Sequence, residues 1–298
     1  MSIENIDTVP WRVFDDARVL ATEAQAPDYV ADPADIDRFE QDGVVLLRGA
    51  FADWVEPLRA GLEKNLASPL DYAFPCEAVQ KGEGGRFFDS YCNWQRIEPY
   101  RDFVLKSQAA SMAGQFMRSK TAQFFHDHAF CKEPGTQSAT PWHQDLPYYC
   151  VDGRQTVSIY VSLDHAPADV AVRFVRGSHR APKLYHPLGF SDGDQLGDQS
   201  NGEAGLEMVP DIEAHPDDYD LAAWALDPGD AVLFSFRTLH GTTNAQLKSR
   251  RRAFSTRGLG DDARFCNRGE TSPPYKDIQV DDGARMPEDC FPVLWQRS

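Results

Sequence analysis

The stretch TPWHQDLPYY, Thr140 to Tyr149, sets His143 and Asp145 two residues apart among bulky aromatic and proline neighbours. Residues i and i+2 of a strand point to one face, so the pair could offer a metal one nitrogen and one oxygen from a rigid element. A His-x-Asp pair alone is also what a surface ion pair looks like, and two ligands do not hold a catalytic metal. A third candidate follows the turn DPGD. There the apolar run AVLFSF leads into RTLHGTTN and sets His240 at a strand end, beside a glycine where the backbone can bend. Two histidines and one carboxylate on one face of a metal leave positions open, which suits non-haem Fe(II) taking a co-substrate and dioxygen together. Zinc is satisfied by the same three ligands plus water, so the triad by itself leaves the metal undecided.

Farther on, KSRRRAFS places arginines on the strand after His240. A guanidinium pairs bidentately with a carboxylate, and a dicarboxylic keto acid that chelates a metal needs such an anchor at its distal end. The same cluster would serve equally as an exposed basic patch. His126 and His128, in FHDHAF, form a second i, i+2 pair and the main rival for metal binding, but they lack a further ligand and a matching arginine. His179, in RGSHR, reads as a turn residue between strands that could sit at a pocket mouth.

These side chains need elements to hold them. DPADIDRFEQDG reads as a helix capped by Asp32, with Pro33 in its first turn and Gly43 as its stop. VVLLRG follows as a buried strand, and DWVEPLRAGLEKNLA as an amphipathic helix with Trp54, Val55, Leu58, Leu62 and Leu66 on one side. A further helical region is expected over 98–118. From Ala122 the texture changes to short aromatic and β-branched segments divided by turn signals, which predicts a sandwich or barrel. No repeat or second domain is visible. The expected organisation is one domain over 1–298, with an N-terminal extension over 1–30 and a metal-binding core over 122–262. The segment from Leu184 to Asp220 carries ten acidic residues and no Lys or Arg, and reads as a solvated loop or a lid.

Composition narrows the function. The chain of 298 residues has a formal charge of -16 and no basic stripe, which argues against nucleic acid and an anionic membrane surface. No apolar run approaches the roughly 18 residues of a membrane span. The N-terminus lacks a basic region followed by an apolar stretch, so a cytoplasmic location is expected. Six scattered cysteines without a Cys-x-x-Cys pair suggest reduced thiols. No Gly-x-Ser-x-Gly elbow is present, which disfavours a serine hydrolase.

Taken in order, KEPGTQSATPWHQDLPYY, VRGSH, PGDAVLFSFRTLHGTTN and RRAF resemble the phytanoyl-CoA dioxygenase family of Fe(II)/2-oxoglutarate oxygenases, and FEQDGVVLLRGAF matches the way such chains begin. The resemblance spans roughly residues 35 to 262. It implies a mainly β fold, a double-stranded β-helix or jelly roll with flanking helices. It also implies Fe(II), 2-oxoglutarate and O2, and the oxidation of a small-molecule C–H with release of succinate and CO2. The family's iron ligands fall on His143, Asp145 and His240. Its 2-oxoglutarate arginine, eleven residues beyond the second histidine, falls on Arg251; strand alternation sends Arg250 and Arg252 to the other face. Tyr160, Thr242, His128 and Gln144 align near positions that line the co-substrate pocket. Halogenating relatives replace the carboxylate ligand with a small residue, so Asp145 favours hydroxylation. A small polar or anionic substrate is expected, with Arg154, Arg173, Arg176, Arg257 and Arg264 as candidate anion binders. The rival readings are a zinc hydrolase using the same triad and a non-catalytic jelly roll that binds a small ligand.

Overall fold

A computed structural model describes residues 16–72, 75–79, 85–135, 139–188, 206–243, 247–268, 278 and 280–297. Residues 1–15 of the expected extension and 189–205 of the acidic segment lie outside the described residues. The first elements are α1 (Ala17–Ala21) and α2 (Pro33–Asp42), followed by β1 (Val44–Leu47) and α3 (Val55–Ala67). In α2 the Asp32 carboxylate accepts from the amide of Ala34, and Gly43 ends the helix at φ 75°, as the sequence predicts. A side chain on Gly43 would also collide with the His179 ring and Thr238. Next come β2 (Pro75–Val79), β3 (Arg86–Tyr91), α4 (Glu98–Lys106), α5 (Ala109–Phe116) and β4 (Thr121–Lys132). The single helical region expected over 98–118 is thus two helices. Ser107 is extended at ψ 168°, and its hydroxyl accepts from the Ala109 amide, so it breaks the first helix and starts the second.

The rest of the chain is strands: β5 (Val151–Asp152), β6 (Thr156–Ser162), β7 (Arg173–Val175), β8 (Leu184–Tyr185), β9 (Leu206–Glu207) and β10 (Leu221–Ala222). They continue with β11 (Ala231–Phe234), β12 (His240–Gly241), β13 (Arg251–Leu259), β14 (Arg264–Phe265) and β15 (Val293–Gln296). The large sheet runs β1-β11-β6-β13-β4-β3-β2, with β15 added beside β4, and a small sheet runs β10-β7-β12. All pairings in both sheets are antiparallel. The two sheets form the jelly roll. Its large sheet recruits β1 to β3 and β15, so the core extends beyond the expected 122–262 on both sides. β8 and β9 pair in parallel and tie the start of the acidic segment to its interior at Leu206–Glu207.

Alternation decides what each face of the large sheet meets. Val45, Leu47, Val157, Ile159, Val161, Leu233 and Phe254 face outward into the core shared with α3, α4 and α5. Phe254 packs on Tyr100 with tilted rings 4.4 Å apart and meets Phe103 edge-on at 5.5 Å. Facing inward, Val44, Val232 and Phe234 pack against Phe174, Ala222 and Leu226 near the small sheet. Both faces of β1 and β11 are therefore apolar, which is why they read as continuous hydrophobic runs. Across β6, β13, β4 and β3 the inward positions turn polar: Ser158 and Tyr160, then Ser255 and Arg257, then His128 and Lys132, then Asp89. The site lies over this polar stretch. Among the described residues no helix is long and apolar enough to cross a membrane.

Candidate metal centre

His143 and His240 reach each other through a two-residue antiparallel bridge, in which each amide donates to the other's carbonyl at 3.0 and 2.9 Å. The sequence predicts His143 and Asp145 on one strand, but the structure differs. Asp145 has helical backbone angles (φ -67°, ψ -38°) and opens a 3-10 turn over Leu146–Tyr148. Pro147, which cannot donate to a ladder, sits in that turn, and the Leu146 amide is pinned to the Phe236 carbonyl at 2.9 Å. The turn, rather than strand alternation, returns the carboxylate to the histidines. Gly241 is needed for the close approach, since a Cβ there would lie 3.1 Å from the Thr140 carbonyl oxygen and 3.2 Å from Trp142 Cα.

Among the described residues, His143, Asp145 and His240 form the one group with the spacing of a metal site, and all three are buried. Each histidine is set in the same tautomer. Nδ1 of His143 donates to the Pro141 carbonyl at 2.8 Å and Nδ1 of His240 to the Thr238 carbonyl at 2.9 Å, which leaves each Nε2 lone pair for a metal. Asp145 Oδ1 lies 3.7 Å from both Nε2 atoms. Its other oxygen is occupied: Oδ2 accepts from the Ser158 hydroxyl at 2.8 Å and lies 3.4 Å from Arg257 Nε. The carboxylate is therefore prepared to bind a metal through one oxygen, leaving coordination positions open. Burial pushes the Asp145 carboxyl up, but Arg257 and then the two histidines more than offset this and hold it well below the usual carboxylate range. Burial, followed by the neighbouring His143, lowers His240 to about 3, keeping it neutral as a ligand must be.

The other sequence candidates divide. Tyr160, on β6, faces inward beside Arg251, whose charge it senses. Arg251 opens β13 opposite Lys132, is buried, and donates to the Val170 carbonyl. Its neighbours face outward: Arg250 pairs with Glu63 and Glu133, and Arg252 with Asp164 and Glu63. The Thr242 hydroxyl accepts from the Thr140 amide at 2.7 Å and keeps its own proton to donate. His128 lies inward on β4, with Nε2 3.0 Å from Asp89 Oδ2. Gln144 does not line the pocket in the way expected. Its amide donates to the Arg237 carbonyl at 2.8 Å and accepts from the Tyr185 amide at 3.2 Å, because it points opposite to its two ligand neighbours. His179 is also structural: Nε2 bonds the Glu40 carbonyl at the end of α2 at 3.1 Å, away from the triad.

The candidate anion binders are mostly engaged. Arg173 pairs with Glu213, Arg176 with Asp220 and Asp42, and Arg264 donates to the Asp261 and Ala263 carbonyls. Arg257 is buried against Asp145 and donates to the Tyr149 hydroxyl at 3.1 Å, so it serves the ligand set and not a substrate anion. Two residues escaped the sequence reading. Lys132, the first residue of the KEPG stretch, is buried beside Arg251 with Nζ 3.3 Å from the Thr140 hydroxyl. Burial, with Arg251 second, lowers it to about 7. Asp89 sits on β3, upstream of the expected core, and no sequence signal marked it.

The donor set fits a six-coordinate divalent metal, with two neutral imidazole nitrogens and one carboxylate oxygen converging from one side. Among solved structures, the chain resembles the non-haem α-ketoglutarate-dependent epimerase SnoN from nogalamycin biosynthesis at 17% identity and TM-score 0.66, over 90% of this chain and 98% of that one. It also resembles the carbocyclase SnoK from the same biosynthesis at 17% and 0.65, over 89% and 97%. A third likeness is to EctD from S. alaskensis bound to 2-oxoglutarate and 5-hydroxyectoine, at 17% and 0.60, over 79% and 78%. These likenesses establish the jelly-roll fold. No curated protein sequence matches significantly. Residues 39–253 match the profile of the phytanoyl-CoA dioxygenase (PhyH) family, which spans both histidines, Asp145 and Arg251, and the chain belongs to that family.

Proposed function

We propose that the protein is an Fe(II)/2-oxoglutarate-dependent oxygenase that hydroxylates an unactivated C–H of a small polar substrate. The observation that carries this reading is the ligand set itself: two histidines whose Nε2 atoms converge 3.7 Å from Asp145 Oδ1, and one carboxylate whose Oδ2 is already held, all buried. When bound, the iron and its co-substrate would supply the oxidising chemistry, with succinate and CO2 as the co-products. His143, Asp145 and His240 would hold the metal from one side. Arg251 would take the distal carboxylate of 2-oxoglutarate, with Lys132 as a second cation beside it and the Thr242 hydroxyl as a further donor. Tyr160 would wall the co-substrate. The buried apolar residues around the triad, Phe174 and Phe234 among them, keep water from the histidines; their rings lie 5.8 and 4.6 Å from His240.

SnoN has been crystallised with Fe3+, α-ketoglutarate and nogalamycin RO, which supports the same cofactor assignment here. Asp145 supports hydroxylation, because it fills the position that halogenating relatives leave for a halide. The test is anaerobic: Fe(II) and then 2-oxoglutarate are added to metal-free protein, and the visible charge-transfer band of bidentate chelation is followed. The band is expected in the wild type and absent from His143→Ala. Zinc bound in place of iron, with no band and a hydrolytic activity indifferent to Arg251→Ala, would replace the oxygenase with a zinc hydrolase.

A further inference from the structure

The inner face of the barrel contains a second buried carboxylate that the ligand set does not use. Asp89, on β3, is 5% exposed and shares the inward face with His128, Phe130 and Lys132 of β4. Its Oδ2 accepts from His128 Nε2 at 3.0 Å, while Oδ1 is buried and has no hydrogen-bond partner among the described residues. A buried carboxylate oxygen without a donor is costly, and native structures rarely leave one without a water or ligand to serve it. His128 cannot supply a second donor, because its one Nε2 proton already goes to Oδ2. Asp89 shares its face with the co-substrate candidates: Phe130, between His128 and Lys132 on β4, has its ring 6.3 Å from that of Tyr160. His128 also feels the charges of Arg257 and Asp145.

We propose that Asp89, oriented by His128, is a specificity residue that accepts a hydrogen bond from a hydroxyl of a neutral, hydroxylated ring substrate; this rests on the oxygenase reading above. Two features select that class. The surroundings are aromatic, with Tyr91 and Phe130 5.4 and 3.9 Å from the His128 ring, so a flat or cyclic skeleton finds apolar walls beside one strong acceptor. Charge decides against an ammonium. On this face the carboxylates of Asp89 and Asp145 stand against the guanidiniums of Arg251 and Arg257 with Lys132 as a further cation, and a metal dication is matched by the co-substrate dianion. An added substrate cation would be uncompensated, and an added anion would face Asp89 directly. A hydroxyl donates without changing the balance.

The experiment uses the full chain loaded with Fe(II) and 2-oxoglutarate under nitrogen. The probes are methyl glycosides and cyclitols, with their O-methylated, amino and carboxylate counterparts. Two readouts are taken: displacement of the visible Fe(II)·2-oxoglutarate band on probe addition, and probe-stimulated succinate formation after oxygen is admitted. At least one hydroxylated probe is expected to move the band and stimulate turnover, and its O-methylated counterpart to bind at least tenfold more weakly. Asp89→Asn and Asp89→Ala should lose at least tenfold in half-saturation for that probe, while the band without probe keeps its wild-type 2-oxoglutarate dependence. His128→Gln, which preserves an amide donor to Oδ2, should stay within a few-fold and covers the case in which Asp89 variants do not fold. No response to any hydroxylated probe, a preference for the amino or carboxylate counterparts, or Asp89→Asn indistinguishable from wild type would each overturn the subsite and leave the oxygenase reading standing. Absence of the band in the wild type would overturn both.

Discussion

Two carboxylates are buried in the same barrel a few strands apart, and they are finished to different degrees. At Asp145 every oxygen has an assignment: Oδ2 is held by Ser158 and Arg257, and Oδ1 is directed at the two histidines. At Asp89 one oxygen is held by His128 and the other has no partner among the described residues. A metal demands fixed geometry, so the protein spends a serine, an arginine and a tyrosine on restraining its ligand. A substrate brings its own hydrogen-bonding groups, so its acceptor is left incomplete. The difference separates the part of the site that is permanent from the part that is filled anew in each turnover.

The largest effect expected is at the finished end. Asp145→Ala removes the only carboxylate ligand and leaves Arg257 buried without its counter-charge. Iron retention after gel filtration should fall to background, with no visible band at any 2-oxoglutarate concentration. An Asp145→Ala protein that still bound one iron per chain would remove the basis for distinguishing the two carboxylates. Arg251→Ala comes next. Truncating one partner of a buried charge pair costs about 2–5 kcal/mol, so half-saturation by 2-oxoglutarate should rise by roughly thirtyfold to several thousandfold. Iron affinity should stay unchanged. Arg251→Lys should recover only part of the loss, because an ammonium cannot reproduce the two-pronged contact.

Arg257→Ala tests whether the restraint on Asp145 matters as such. Outer-shell partners of a metal ligand are typically worth about 10- to 100-fold in metal affinity. A loss in that range, measured by competition with a coloured Fe(II) chelator, is expected with the 2-oxoglutarate titration little altered once iron is saturating. Ser158→Ala should give a smaller loss of the same kind. An Arg257→Ala protein with wild-type iron affinity would mean that the turn at Leu146–Tyr148 alone fixes the carboxylate.

The sequence made the finished end legible and left the other nearly blank. His143 and His240 are a rare residue type, His143 and Asp145 sit in one tight motif with turn signals between it and His240, and Arg251 is fixed by its register among three arginines, two of which the structure turns to outward acids. The element holding Asp145 was misread because Trp142 and Tyr148 suggest a strand, while Pro147 and the Phe236 carbonyl impose a turn. Gln144 was misplaced for the same reason, since its neighbours' role says nothing about a side chain pointing the other way. The helix over Pro33–Asp42 was readable because both its stops are chemical signals, whereas Ser107 divides the later region with no Gly or Pro to announce it. Asp89 was invisible because RFFDSY is buried on both faces and therefore shows no alternation. Its orphan oxygen is a property of the packed barrel, not of any motif.

The smallest effect lies between the two carboxylates, at Lys132. Burial, reinforced by Arg251, lowers its ammonium to about 7, with Asp89 pulling the other way. As pH rises from 6 to 8 the side chain loses its charge, so affinity for the 2-oxoglutarate dianion should fall. At an effective dielectric near 20, one charge roughly 5–6 Å away is worth about 3 kcal/mol, but because the ammonium starts near 7, proton linkage limits the fall between pH 6 and 8 to about tenfold. Stability should move in the opposite direction. The unfolded chain keeps this proton up to about 10.5, so between about 7 and that value it binds more protons than the folded chain, and folding becomes more favourable with rising pH. Lys132→Met should flatten both slopes at once: the pH dependence of 2-oxoglutarate titration across pH 6 to 8, and part of the rise in melting temperature above pH 7. If the affinity slope survived in Lys132→Met while the stability slope vanished, Lys132 would be buried beside the co-substrate without contacting it, and the co-substrate end of the site would rest on Arg251 alone.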